Sequence, residues 1–177
     1  MRAPNDSFVA EPLFDQGYAV VARAHHPRLA QLATLDGYCG ERHLIVSQSG
    51  ERRGIADQAL AKLGRERRVV AALPYFLAAL ATVSRTDLVA TLPRALVEAF
   101  ATHFSLAVVE PPVALRRFPV AVVRHRRSIG NGAVDWVLGA LASIPDDHDG
   151  TTLGSARSRA SASSANSAAT MNAAPGK

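Results

Sequence analysis

Residues 43–63 read HLIVS, QSGERRG and IADQALAKL in succession. That is a branched apolar run, a polar glycine-bearing loop, and a segment whose apolar residues recur at helical spacing. His43–Ser47 predicts a buried strand. Ile55, Ala59, Leu60 and Leu63 predict the inner stripe of a helix, with Asp57, Gln58 and Lys62 opposite. The alternation continues on both sides. YAVVARA (18–24) predicts a strand, and Thr34 caps a short helix over LDGYCGE. RVVAAL (68–73) is a strand, after which Pro74 opens the helix YFLAALATV. DLVATL (87–92) is another strand, and Pro93 opens a helix with Ala95, Leu96, Ala99 and Phe100 inside. Residues 105–109 and 118–123 predict further strands, and residues 131–144 a helix burying Val134, Val137, Leu138 and Leu141. Strands alternating with helices over 18–144 imply βαβ units, hence an α/β fold with a mostly parallel sheet in three layers. Residues 1–16 are mixed and polar, with Phe8, Val9, Leu13 and Phe14 as apolar anchors.

The loop between strand and helix carries Ser47, Ser49, Gly50, Arg52, Arg53 and Gly54. The first amides of a helix lack internal partners and the helix dipole favours negative charge there, so this loop is a candidate anion site. An alternative reading is a surface turn whose serines cap the helix and whose arginines are solvated. In open α/β sheets ligands bind beyond the carboxyl ends of the strands. Three loops answer that description: Ser47–Gly54, Leu73–Phe76 and Thr91–Arg94.

Composition narrows the function classes. With 177 residues, 48% of them hydrophobic, the chain can bury one or two small cores. Its single cysteine, Cys39, excludes an internal disulfide and a cysteine-cluster metal site, and no cofactor is implied. The N-terminal stretch MRAPNDSFVAEPLF lacks a signal-peptide core, and no apolar run is long enough to cross a bilayer, so a cytoplasmic location is expected. The formal charge of +5 and a pI near 10.1 invite a nucleic-acid reading. The positive charges are mostly scattered arginine pairs (Arg52–Arg53, Arg67–Arg68, Arg116–Arg117, Arg126–Arg127), and no basic recognition helix appears. Residues 155–177 are mostly Ser and Ala and predict disorder.

Four segments carry a family resemblance: PLFDQGYAVVARAHHPRL, LDGYCGERHLIVSQSGERRGIADQALAKLG, LPYFLAALATVSRTDLVATLPRALVEAF, and FPVAVVRHRR with VDWVLGAL. In order and spacing over residues 7–144 they resemble the effector-binding domain of LysR-type transcriptional regulators. The resemblance implies a periplasmic-binding-protein-like (type 2), Rossmann-like fold in which two subdomains hold a small-molecule effector between them. Residues 1–16 would then be a remnant of the first subdomain and its crossover, 17–117 the second subdomain, 118–145 a return segment to the first, and 146–177 a disordered tail. It implies an effector domain truncated with respect to the family, without the helix-turn-helix through which DNA is bound. The family's ligand wall would fall on Ser47, Arg53, Gly54 and Ile55, with Ser49 in the same loop and Pro74, Tyr75 and Thr91 close by. The implied effector is a small molecule, often a carboxylate. Residues 68–83 would mediate homo-oligomerisation. Two other functions compete. A serine hydrolase using Ser47 or Ser49 lacks the G-x-S-x-G elbow, and a stand-alone small-molecule carrier would need a leader segment.

Overall fold

In the computed structural model, which describes residues 5–143, the elements run β1 (Phe8–Gln16), β2 (Tyr18–Arg23), a 3-10 turn (Leu29–Ala33), α1 (Leu35–Gly40), β3 (Arg42–Val46), α2 (Ile55–Ala61), β4 (Arg68–Leu73), α3 (Phe76–Ser84), β5 (Val89–Pro93), α4 (Arg94–Ala101), β6 (Leu106–Val109), β7 (Phe118–His125) and α5 (Gly132–Ala142). The tail expected to be disordered lies outside the described residues. Thr34 caps α1 as expected, its hydroxyl accepting the Gly37 amide at 3.1 Å. Gly64 follows α2 in the left-handed region (φ 64°), the conformation that favours glycine at a helix C-terminus.

Five strands form one sheet in the order β4–β3–β5–β2–β6. β3 is parallel to β4 and β5, whereas β2 lies antiparallel between β5 and β6. Four strands therefore point one way, as the alternation implies, and β2 alone is reversed. β2 follows β1 directly, with no helix between them. Its side chains alternate between two cores, as pleating requires. Ala19 and Val21 face Leu80, Val83 and Val97 of α3 and α4. Val20 and Ala22 face Leu32, Tyr38 and Leu60 on the other side. The result is the expected three-layer packing.

Two expectations are corrected at the chain ends. Residues 8–16 are a strand, antiparallel to β7 from Phe8↔His125 to Gln16↔Phe118, with an irregularity after Pro12. The polar residues and Pro12 hid it, because this two-stranded ribbon has no fully buried face to impose a clean alternation. The second correction concerns α5: none of its residues is fully buried, and Trp136, Val137 and Leu141 are exposed. Its apolar content reflects surface apolar residues, not a buried stripe. On α2 the fully buried residues are Ala56 and Leu60, while Leu63 lies beyond the helix and is exposed.

Candidate functional site

At the carboxyl ends of β3 and β5 the structure holds a cavity of about 250 Å³, lined by Tyr18, Ile45, Val46, Gly54, Ile55, Ala56, Arg67, Phe76, Thr91, Leu92, Pro93 and Phe118. All three loops singled out from the sequence contribute to it: the first through Gly54, the second through Phe76, the third through Thr91–Pro93. Two aromatic residues complete the wall from the segments that join the ribbon to the sheet. Tyr18 and Phe118 pack with their rings tilted by 46° and centroids 5.3 Å apart. Burial pushes the Tyr18 phenol up, and the nearby Arg116 only partly offsets this.

Of the residues expected at the site, Gly54, Ile55 and Thr91 line this cavity, whereas Ser47, Ser49, Arg53, Pro74 and Tyr75 are not among its lining residues. The Ser47 amide donates to the Leu73 carbonyl at 2.9 Å, and the Ser47 and Ser49 hydroxyls lie 3.3 Å apart. Pro74 and Tyr75 are exposed before α3. Arg53 borders a separate, wider hollow of about 510 Å³ beside α2, with Arg52, Arg65 and Arg67.

Arg67 borders both spaces, and its side chain is only 3% exposed. Its guanidinium grips Asp57 with two parallel bonds, Nε to Oδ1 at 2.9 Å and Nη2 to Oδ2 at 2.8 Å, the bidentate geometry that makes such pairs strong. The same carboxylate accepts the Gly54 amide at 2.8 Å, tying down the start of α2. Burial would raise the Asp57 pKa, yet the Arg67 bonds and the Gly54 amide hold it below the usual carboxylate range. Nη1 of Arg67 donates to the Tyr38 hydroxyl at 2.8 Å, and that hydroxyl lies 2.7 Å from Thr91 Oγ1.

His43 closes the network beneath. It is fully buried, lies edge-on to the Tyr38 ring at 4.5 Å, and places Nε2 2.7 Å from the Tyr38 carbonyl oxygen. Burial, then the Arg67 charge, lower its pKa to about 4. The ring is therefore neutral near pH 7. Nε2–H donates to the carbonyl, leaving Nδ1 to face Arg67 Nη1 at 3.4 Å. Sequence reasoning missed Tyr18, Phe118, Arg67, Tyr38 and His43. The last three are brought together from separate elements, and no short motif links them.

Three comparisons bear on what the arrangement is. A family model described as LysR substrate binding domain matches residues 1–144. Among curated relatives, the HTH-type transcriptional regulator SyrM of Rhizobium meliloti (strain 1021) is 31% identical over 81% of this chain, and the chain spans only 44% of that protein. Among solved structures, a probable transcriptional regulator of Pseudomonas aeruginosa, PA0477, is 36% identical with TM-score 0.65 over 77% of this chain and 45% of its own. The regulatory domain of MexT, a transcriptional activator of the same species, is 27% identical with TM-score 0.67 over 80% of this chain and 68% of its own. Among the described residues no helix is long and apolar enough to cross a membrane. Fold and sequence match agree, and the chain belongs to the LysR substrate binding domain family, the effector-binding domain of LysR-type transcriptional regulators.

Proposed function

We propose that this chain senses a small carboxylate in the cavity at the ends of β3 and β5, as part of a cytoplasmic transcription regulator. The observation that carries the reading is one buried guanidinium, Arg67, with the hydroxyl-bearing residues Thr91 and Tyr18, in an otherwise largely apolar lining. Such a composition suits a ligand with an apolar body and one anionic end. Gly54, Ile55 and Thr91 take the ligand, while Ser47, Ser49 and Arg53 belong to the loop beside it. NMR titration with small aromatic and aliphatic acids tests this, with shifts expected at Ile55, Ala56 and Thr91–Leu92. Ile55→Asp, which brings a carboxylate against the ligand's own, weakens binding at least about tenfold. Arg53→Ala, out in the wider hollow, changes it by less than about twofold. Shifts gathered around Arg52 and Arg53 instead would move the site to that hollow.

In this reading residues 17–117 form the second subdomain, and 1–16 with 118–145 belong to the first. DNA is contacted through a helix-turn-helix domain and not by the described residues, whose arginines give only weak, salt-sensitive association. No catalysis is assigned. Among the described residues, no histidine hydrogen-bonds Ser47 or Ser49.

Self-association runs through residues 68–83. β4 is an edge strand, and Tyr75, Phe76 and Leu77 at the start of α3 are exposed, Leu77 by 50%. An unpaired edge beside exposed apolar side chains is a template for association. Leu77→Lys therefore reduces the apparent mass in light scattering while leaving the circular dichroism spectrum intact. Leu80→Lys, at a fully buried position, unfolds the chain instead.

A further inference from the structure

The hydrogen bonds beneath the cavity have only one consistent direction. A guanidinium only donates, so Tyr38 Oη accepts from Arg67 Nη1 at 2.8 Å. His43 Nδ1, facing the same nitrogen, is an acceptor. Tyr38 is 1% exposed, and its hydroxyl has two partners, Arg67 and Thr91. If the Thr91 hydroxyl donated to it, the phenolic proton would be buried without an acceptor, a costly arrangement. The phenol therefore donates to Thr91 Oγ1 across 2.7 Å. Thr91 Oγ1 is then an acceptor toward the interior, and its own proton is left for the cavity that Thr91 lines.

We propose that Arg67 and Tyr38 act as positioning residues that leave the Thr91 hydroxyl proton free to donate into the cavity, so that the site favours ligands presenting a hydrogen-bond acceptor, above all a carboxylate. This inference rests on the cavity being the effector site. Asp57 keeps the relay in register by holding Arg67 with two bonds. Burial keeps the Tyr38 phenol protonated well above neutrality, so the proton it passes to Thr91 is always present.

The full chain is titrated by NMR with two probes of like size: benzoate, whose polar end only accepts, and benzylammonium, whose polar end only donates. Thr91→Val weakens benzoate about tenfold, the scale of one hydrogen bond to a charged group, and weakens benzylammonium clearly less. Thr91→Ser restores benzoate binding. Tyr38→Phe removes the donor that holds one Thr91 lone pair and lets the hydroxyl proton turn away from the cavity, so benzoate weakens while benzylammonium does not. A merely structural loss would weaken both probes together. If benzoate shifts Ile55 and Thr91 but Thr91→Val leaves its affinity unchanged, or Tyr38→Phe weakens both probes equally, the relay is wrong and the cleft stands as the site. If neither probe shifts a cavity residue in the wild-type chain, the site assignment falls and the relay with it. Thr91→Val and Thr91→Ser carry the test should Tyr38→Phe fail to fold.

Discussion

Arg67→Ala lowers the stability of the chain by about 3 kcal/mol, measured by urea unfolding near pH 7. The scale is that of a buried ion pair broken from one side. Arg67 is 3% exposed at its side chain and Asp57 is 16% exposed, so the abandoned carboxylate is poorly reached by water. The Gly54 amide remains as its donor but carries no charge. The Tyr38 hydroxyl also loses the donor that orients it. Arg67→Lys rescues little, because an ammonium cannot reproduce the two parallel bonds to Asp57 together with the bond to Tyr38. Replacing both members of the pair by apolar residues, as in Arg67→Met with Asp57→Leu, recovers most of the loss. A loss of less than about 1 kcal/mol for Arg67→Ala, the worth of an ordinary hydrogen bond, would show that water reaches Asp57 freely.

Mild acid destabilises the chain through His43. In the unfolded chain its imidazole titrates at the ordinary 6.5, and in the folded chain at about 4. Between those values the unfolded state binds a proton that the folded state refuses. The stability is therefore complete above about pH 6.5 and declines as the pH falls toward 4, by about 3 kcal/mol in all. The carboxylates held low join only further down. The Arg28 hydrogen bond holds the Glu41 carboxyl below its usual value, and Asp57 is held low despite its burial. Their contributions are lost below the ordinary carboxylate range, so the slope between pH 6.5 and about 5 belongs largely to His43. Denaturant midpoints measured across that interval give the slope, and His43→Gln flattens it. A wild-type midpoint that stays level from pH 7 to 5 would mean that His43 charges without cost.

The strand–loop–helix of residues 43–63 was legible because each part has its own local signature. A branched run, a glycine loop and a helical period need no distant partner to be recognised. The same holds for β4, α3, β5 and α4, where Pro74 and Pro93 mark the helix starts. The convergence of three loops at the strand ends follows from βαβ geometry, and the cavity has contributions from all three. What stayed hidden depends on pairing across the chain. β1 carries Pro12 and polar residues, and only β7 makes it a strand. The direction of β2 is set by its neighbours β5 and β6, and no residue within Tyr18–Arg23 encodes it. Arg67 sits in a run of charges, GRERR, that reads as solvated surface. Its burial is decided by Asp57, ten positions earlier, and by Tyr38 on another helix. Conversely, α5 has the composition of a buried helix, yet Trp136 is 74% exposed.

The reversed strand has a consequence for how the chain acquires its structure. β2 is the most deeply buried strand of the sheet, with Ala19–Ala22 wholly enclosed, yet neither of its partners exists in the chain before residues 89–109. β1 waits longer still, for residues 118–125. On a ribosome, which releases the chain from its amino end, the first two strands remain unpaired while β3, α2 and β4 can already assemble from neighbouring residues. Closing such long loops costs entropy before any contact repays it, so contact order is high and folding is slow for the chain's size. An apolar segment, YAVVARA, is exposed throughout that interval. Until β5 and β6 emerge, that segment is the part of this sheet most open to association with other chains.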